Sequence, residues 1–214
     1  MKNKIIKALK WFLDSYIWLF IIFLACDIIT KNLIVANLEL GDKVDLIPGF
    51  LRITYSINDK AAFSIGFSEA WVNKLIYSIV AAVATIGISI FFAKRYTKLN
   101  GLIKASLMLI LVGAIGNLID RLFYSPTFLH SGSDLCGVVD WIDFHGIWNA
   151  VFNIADSSIV IGCFMLIIYI IVLEIKDVHA RNVRLAKEDA NKEICNCSGF
   201  SNSILGAGIS LMIV

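Results

Sequence analysis

The sequence has few charged residues and very few prolines. Charged side chains make up 17% of the 214 residues and hydrophobic ones 58%, whereas an average soluble domain is about a quarter charged and about half apolar. The two prolines and the many branched aliphatic side chains also differ from the composition of a disordered chain. The composition therefore argues against a soluble domain and against disorder, and it predicts a membrane protein.

Histidine and cysteine are also scarce. There are three histidines and no HExxH motif, so an intramembrane zinc peptidase would have no ligands. The five cysteines form no disulfide framework, and Cys195 and Cys197 lack the second ligand pair of a zinc site. Cys26 and Cys163 lie in apolar runs, where we expect buried free thiols. These residues therefore predict no metal site.

Four apolar runs are long enough to cross a bilayer as helices, which takes about 20 residues each. They predict spans at about 12–36, 71–93, 102–124 and 150–173. Turn residues after the first run, with the alternating segment FLRITYSI, predict a short strand in an extramembrane element. We therefore predict an all-α membrane protein, a four-transmembrane-helix bundle with a small extracytoplasmic β-rich cradle. The membrane-embedded domain would cover residues 1–176, and residues 177–214 would form a cytoplasmic tail of unknown role.

Clusters of basic residues predict the orientation in the membrane. Lys and Arg are frequent before the first run, in the short loop between the second and third runs, and after the fourth run. The first loop has only Lys43, Arg52 and Lys60, and residues 125–148 have no Lys or Arg. The positive-inside rule therefore places both termini in the cytoplasm and the first and third loops outside. We interpret these clusters as topology signals and predict no nucleic-acid partner.

Two of the apolar runs contain polar side chains at helical spacing. In the third run Asn117, Asp120 and Arg121 are spaced i, i+3 and i+4, so they share one helix face. In the fourth run Asn153 and Asp156 repeat the i, i+3 spacing. Ionisable side chains within a bilayer are costly and need partners or a function. The predicted topology brings both polar faces to the outer end of the bundle.

The loop between these runs adds two more carboxylates, so four of them are expected near the outer leaflet: Asp120, Asp140, Asp143 and Asp156. Two adjacent carboxylates cannot both ionise cheaply, so one keeps a proton and the other acts as a base. Such a pair can activate a water against an amide carbonyl and protonate the leaving nitrogen. The residues alone do not select two of the four.

Two further pairs of residues in the apolar runs are of interest: a pair of opposite charges and a pair of glycines. Asp27 and Lys31 in the first run lie four residues apart and can pair, either as a structural ion pair near the membrane boundary or as groups near a site. Gly113 and Gly116 in the third run would allow a neighbouring helix to approach closely.

Three segments, GNLIDR, VVDWIDF and FNIADS, resemble the bacterial lipoprotein signal peptidase (signal peptidase II) family. The resemblance extends to Asp27 and Lys31 and to the segment TYSINDKAAFS, and so covers about residues 11–175. It implies four transmembrane helices, a small periplasmic β-cradle and an aspartyl pair. By matching position the pair is Asp140 and Asp156. The supporting and substrate-binding residues would be Asn58, Asn117, Asp120, Arg121, Asn153, Asp27 and Lys31.

The resemblance also implies a reaction and a location. The protein would be an aspartyl endopeptidase of the bacterial cell (inner) membrane with its active site near the outer leaflet. It would remove the signal peptide of a prolipoprotein by cutting before the diacylglyceryl-cysteine, and the substrate would enter from the lipid. It would need no cofactor, and we expect a monomer.

Two departures from the family pattern stand out. Lys60 replaces the glycine usual in the first-loop motif, and the segment from Arg121 to Asp140 is longer than usual. Alternatives remain: a small proton-coupled transporter using Asp27, Lys31, Asp120 and Asp156 as a relay, a non-catalytic membrane scaffold, or a serine mechanism. The last would use Ser131 or Ser133 with His145, although no GxSxG motif supports it.

Overall fold

The computed structural model describes the backbone of residues 2–58, 70–123 and 137–210, and the side chains of 3–58, 71–123 and 137–188. Lys60 and residues 125–136 of the long third loop, with Ser131 and Ser133, lie outside the described residues. The chain divides into two compact units, Met1–Ile167 and Ile168–Val214. The helices are α1 (Lys2–Ser15), α2 (Ile17–Asn37), α3 (Ala70–Arg95), α4 (Gly101–Phe123) and α5 (Ile154–Ser210). The strands are β1 (Lys43–Ile47), β2 (Leu51–Asn58), β3 (Val138–Asp143) and β4 (Val151–Phe152).

Four of the described helices are long and apolar enough to span a membrane: α2, α3, α4 and the part of α5 from Ile154 to Glu188. The most apolar window of α3 has no fully buried residue, and large apolar side chains such as Ile79, Val83 and Ile86 of this helix are exposed. Cys26 and Cys163 are exposed as well, and the expectation of buried thiols was wrong. Outward apolar side chains of this extent are what a bilayer covers.

The first predicted span is two helices rather than one. α1 ends at Ser15, and α2 begins at Ile17, not at residue 12. Tyr16 between them has φ 61, in the left-handed region that non-glycine residues rarely adopt. The Ser15 hydroxyl donates to the carbonyl oxygen of Phe12 and accepts from the N–H of Ile17, which satisfies backbone groups at the break.

The strands form one antiparallel sheet in the order β1-β2-β3-β4. The predicted strand FLRITYSI is confirmed as part of β2. Strand β3, in contrast, occupies VVDWID, where we expected a loop. A cluster of Ile34 and Val35 from α2, Tyr55 from β2 and Val139 from β3 packs the sheet against the end of α2.

Three helices connect to this sheet: α2 and α4 at their carboxyl ends and α5 at its amino end. α2 leads into β1, α4 precedes β3, and β4 is separated from α5 by Asn153 alone. The short 3-10 helix Tyr96–Lys98 joins α3 to α4 at the opposite end. Polar residues at the carboxyl end of α4 and the amino end of α5 therefore face the same strand, β3.

Helices α4 and α5 pack closely, as the glycine spacing predicted. A Cβ atom on Gly113 would lie 2.5 Å from the carbonyl oxygen of Ala155, and one on Gly116 would lie 2.7 Å from Asp27 Oδ2. On the other helix, a Cβ on Gly162 would lie 2.8 Å from the carbonyl oxygen of Ser106. Gly116 faces Asp27 of α2, whereas Gly113 and Gly162 leave no room for a side chain between α4 and α5, so these two glycines allow the close approach of α4 and α5.

Candidate active site

Asp140 lies in the middle of the sheet and is held by two side-chain amides. Strand β3 pairs it with Ser56 of β2, and only 2% of the residue is exposed. Asn153 Nδ2 donates to Asp140 Oδ1 at 2.7 Å, and Asn58 Nδ2 donates to Oδ2 at 3.1 Å. Both oxygens therefore have a donor from outside the strand.

Burial, and after it the charge of Asp156, raises the pKa of Asp140 to about 8. The two amide donors act in the opposite direction because they stabilise the ionised form. The carboxyl group of Asp140 is therefore poised to hold a proton at neutral pH, and Asp156 is close enough to contribute to this.

Asp156 lies in the first turn of α5, and Asn153 caps that turn. The backbone N–H of Asp156 donates to Asn153 Oδ1 at 2.8 Å, which is the N-cap geometry that asparagine favours. The carboxylate of Asp156 accepts from Asn117 Nδ2 at 2.7 Å through Oδ1. The cap thus determines where the carboxylate lies, and α4 supplies its donor.

Two asparagines connect the carboxylates of Asp140 and Asp156. Asn153 contacts Asp140 with its amide nitrogen and the backbone of Asp156 with its oxygen. Asn153 Nδ2 also lies 3.1 Å from Asn117 Oδ1, and Asn117 in turn donates to Asp156. Residues from β3, α4 and α5 therefore form one hydrogen-bonded network.

Lys31 of α2 adjoins this network at Asn117 and has no exposed surface. Its Nζ is 2.7 Å from Asp27 Oδ2, 2.9 Å from Asp120 Oδ2 and 3.4 Å from Asn117 Oδ1. Three acceptors match the three N–H donors of an ammonium group. The predicted pair of Asp27 and Lys31 is therefore present, and it belongs to the site rather than to an isolated boundary pair.

The two aspartates beside Lys31 each hold a backbone N–H next to a site carboxylate. Asp27 Oδ1 accepts from the N–H of Ala155 at 2.8 Å, and Ala155 precedes Asp156. Asp120 Oδ2 accepts from the N–H of Val139 at 3.2 Å, and Val139 precedes Asp140. Lys31 therefore ties α5 and β3 together through Asp27 and Asp120. The sequence carries no signal for these contacts, because every residue except proline has a backbone N–H.

Arg121 and Asp143 differ in their relation to the network. The Arg121 Nη1 donates to the carbonyl oxygen of Asn117 at 3.4 Å, and its guanidinium lies 5.5 Å from the centre of the Tyr77 ring. Asp143 instead accepts from Arg52 Nε and, at 2.9 Å, from the hydroxyl of Thr54. Burial raises the pKa of Asp143, but these two donors outweigh it and the pKa is lowered overall. The expected convergence of four carboxylates therefore does not include Asp143.

The fold and this network define a class: a protein with four helices able to span a membrane and, at one end of them, a hydrogen-bonded network that includes the carboxylates of Asp140 and Asp156. The signal peptidase II family model, described as "Signal peptidase (SPase) II", matches residues 19–172. The chain therefore belongs to the signal peptidase II family and is a membrane peptidase. This membership decides against the transporter and the scaffold.

Curated relatives and solved structures agree with this membership. The chain is 37% identical to the lipoprotein signal peptidase of Fusobacterium nucleatum over 72% of its own length and 84% of that protein. It is 37% identical to the Listeria monocytogenes protein of the same name, over 70% of its length and 88% of that protein. A bacterial membrane enzyme solved by the in meso method at 2.3 Å superimposes with a TM-score of 0.62, at 30% identity, over 75% of this chain and 89% of the other.

Proposed function

We propose that this protein removes the signal peptide from lipid-modified prolipoproteins by aspartyl chemistry, with Asp140 and Asp156 as the catalytic pair. One observation carries the proposal: Asn153 binds the carboxylate of Asp140 and caps the helix turn that carries Asp156. The substrate assignment follows from the lipoprotein signal peptidases to which the chain is similar.

The reaction uses one proton shared by the two carboxyl groups. The ionised group takes a proton from a water molecule, and the water oxygen attacks the scissile carbonyl carbon. The tetrahedral intermediate collapses, the carbon–nitrogen bond breaks, and the protonated carboxyl group gives its proton to the leaving amine. The raised pKa of Asp140 supports a shared proton at neutral pH. The proton belongs to the pair rather than to either residue.

The amide and guanidinium groups around the pair have positioning roles in this proposal. Asn58, Asn117 and Asn153 hold the carboxylates through the donors described above. Arg121, from the same turn of α4 as Asn117, would orient the substrate backbone or carbonyl. The outward apolar faces of the helices support entry of the substrate from the lipid, because acyl chains and a signal helix both prefer hydrocarbon.

The proposed orientation places the sheet and the site outside the cytoplasm, near the outer leaflet of the cell membrane. Lys94, Arg95 and Lys98 lie at the end of the bundle away from the sheet, which the positive-inside rule assigns to the cytoplasm. The segment after residue 176 would then be cytoplasmic. Reporter fusions after residues 45 and 178 test this: only the first should show extracytoplasmic activity, and the reverse pattern would overturn the orientation.

The catalytic proposal is tested with the purified full-length protein in lipid bicelles and a synthetic precursor peptide carrying diacylglyceryl-cysteine. Asp140→Asn and Asp156→Asn should each lower kcat/KM by about 10²–10⁴-fold, the usual contribution of an acid–base group. Asp45→Asn, at an exposed position of β1, is the matched control and should keep full activity. Full activity in either site variant would overturn the pair, and loss confined to His145→Ala would favour a serine mechanism. A precursor with unmodified cysteine tests the lipid requirement.

A further inference from the structure

From Lys4 onward helix α1 is amphipathic, with its lysines and its large aliphatic residues on different faces, whereas Lys2 in the first turn falls on the aliphatic side. At 100° per residue, Ile5, Ile6, Leu9 and Leu13 fall within one face of α1. Lys4 and Lys7 lie on the opposite face, and Lys10 lies at the boundary between the two. A basic amphipathic helix of this kind is typical of segments that lie in a membrane interface.

The apolar face of α1 is uncovered by the rest of the described protein. The exposed fractions are 63% for Ile5, 54% for Ile6, 57% for Leu9 and 53% for Leu13. α2, which follows after one residue, is itself long and apolar enough to span a membrane. The exposed apolar face of α1 therefore directly precedes a helix that can span a membrane.

Contacts between α1 and the α3–α4 connection hold the carboxyl end of α1 in place. Lys104 of α4 donates to the carbonyl oxygen of Asp14 at 3.3 Å, and its Nζ lies 4.0 Å from the centre of the Tyr96 ring. The Trp11 ring lies 6.4 Å from the same Tyr96 ring, centre to centre. A lysine at the carboxyl end of a helix also interacts favourably with the helix dipole.

The break at Tyr16 is part of the same arrangement. The Tyr16 hydroxyl occupies the place next to Gly101, where an added Cβ would lie 2.6 Å from it. Trp18 Nε1 donates to the carbonyl oxygen of Leu13 at 3.3 Å. These contacts sustain a backbone conformation that is unfavourable for tyrosine. The apolar run that begins at Trp11 is thus divided at Tyr16, with its first residues in α1 and the rest in α2.

We infer that α1 is an interfacial anchor that binds a bilayer surface rich in anionic phospholipid, with its aliphatic face in the acyl boundary and its lysines at the headgroups. Charge complementarity selects this occupant, since Lys4, Lys7 and Lys10 match the negative surface of anionic lipids. Continuity with the lipid-facing surface of α2 supports the same occupant. The residues that match the family model begin at residue 19, after the end of α1.

Hydrogen–deuterium exchange of the full-length protein in nanodiscs tests the inference. The backbone amides of residues 2–15 should exchange several-fold more slowly in discs of mixed phosphatidylglycerol and phosphatidylcholine than in discs of phosphatidylcholine alone. Nanodiscs present the same lipid on both sides, so the result does not depend on the proposed orientation. Equal exchange in the two lipids would overturn the anchor and would favour a protein partner for this face.

Variants separate the two faces of the helix. The triple change Lys4→Gln, Lys7→Gln and Lys10→Gln should abolish the difference between the lipids, whereas Lys43→Gln in exposed β1 should preserve it. The pair Ile5→Ser and Leu9→Ser should speed exchange in both lipids. Peptides from β2 and β3 report whether each variant is folded. A triple variant that kept the full lipid dependence would overturn the role of the lysines.

Discussion

Asn153 Nδ2 lies 2.7 Å from Asp140 Oδ1, so the residue that caps α5 also holds a carboxylate of strand β3. Its amide oxygen accepts the N–H of Asp156, three residues on. One side chain thus couples the start of a membrane helix to the sheet. The geometry of Asp140 relative to Asp156 therefore depends on Asn153 as well as on the two elements themselves.

Replacing Asn153 by serine should separate its two roles. Serine is about as good an N-cap as asparagine, so the cap of α5 should be kept, and the unfolding temperature should fall only by what the lost amide contacts with Asp140 and Asn117 contribute. Serine cannot reach Asp140 and Asn117 with an amide nitrogen, so kcat/KM should fall by about 10-fold or more, the equivalent of one charge-assisted hydrogen bond. Cleavage of the precursor peptide and thermal unfolding measure the two effects.

A matched control is Asn37→Ala, since the Asn37 side chain is exposed and donates within α2, to the carbonyl oxygen of Leu33. That variant should cleave normally. If Asn153→Ser cleaved at the wild-type rate, the coupling of β3 to α5 through Asn153 would have no part in catalysis.

The sequence predicts the polar faces of this site but not their partners. The spacing of Asn117 and Asp120 places them on one side of α4, as the structure shows. The spacing does not indicate that Asn117 contacts Asp156, whereas Asp120 contacts Lys31 and the backbone of β3. Those contacts depend on the rotation of α4 against α2 and α5, which closely packed glycines determine. The helical spacing of polar residues in the sequence does not predict that rotation.

Strand β3 and the break between α1 and α2 were not predicted, because the residues at these two places give little indication of them. VVDWID is a six-residue strand in a turn-rich segment, and only its β-branched and aromatic residues indicate β structure. The break at Tyr16 has neither glycine nor proline to mark it. It is sustained by contacts with Gly101 and Trp18, which are distant in the sequence or lie in the next helix.

Replacing Lys31 by methionine should destabilise the folded protein strongly. The change leaves Asp27 and Asp120 buried without a countercharge, which typically costs about 3–5 kcal/mol of the free energy of unfolding. Adding Asp27→Asn and Asp120→Asn to the same variant should restore part of the stability, because the uncompensated charges are then gone. Thermal unfolding in detergent measures both, with Lys43→Met in exposed β1 as control. An unchanged unfolding temperature for Lys31→Met would contradict the buried cluster.

The raised pKa of Asp140 predicts a dependence of stability and activity on pH. The ordinary pKa of an aspartate carboxyl is about 3.9, and burial with the nearby charge of Asp156 raises the pKa of Asp140 to about 8 in the folded protein. Between these values the folded state holds a proton that the unfolded state has lost. The free energy of unfolding should therefore fall as pH rises, by at most about 1.4 kcal/mol per unit for this one group. Above the folded pKa the shared proton is lost, so kcat/KM should fall as well.

The Asp140→Asn variant isolates the stability part of this prediction. Asparagine does not titrate, so the fall in stability between the two pKa values should become shallower in denaturation curves measured at several pH values. A variant with the wild-type slope would assign the pH dependence to other groups.

The close approach of α4 and α5 predicts a difference between glycines that look alike in the sequence. Gly113→Ala would place a Cβ 2.5 Å from the carbonyl oxygen of Ala155, one residue before Asp156. Overpacking of this kind costs about 1–3 kcal/mol, and because it displaces the start of α5 it should also lower kcat/KM. Gly87→Ala in α3 is the matched control, with nothing within 4 Å of the added Cβ. Alanine favours a helix by up to about 1 kcal/mol over glycine, so that variant should be as stable as the wild type or more so. Equal unfolding temperatures and equal cleavage rates for the two variants would mean that α4 and α5 are not packed as the structure has them.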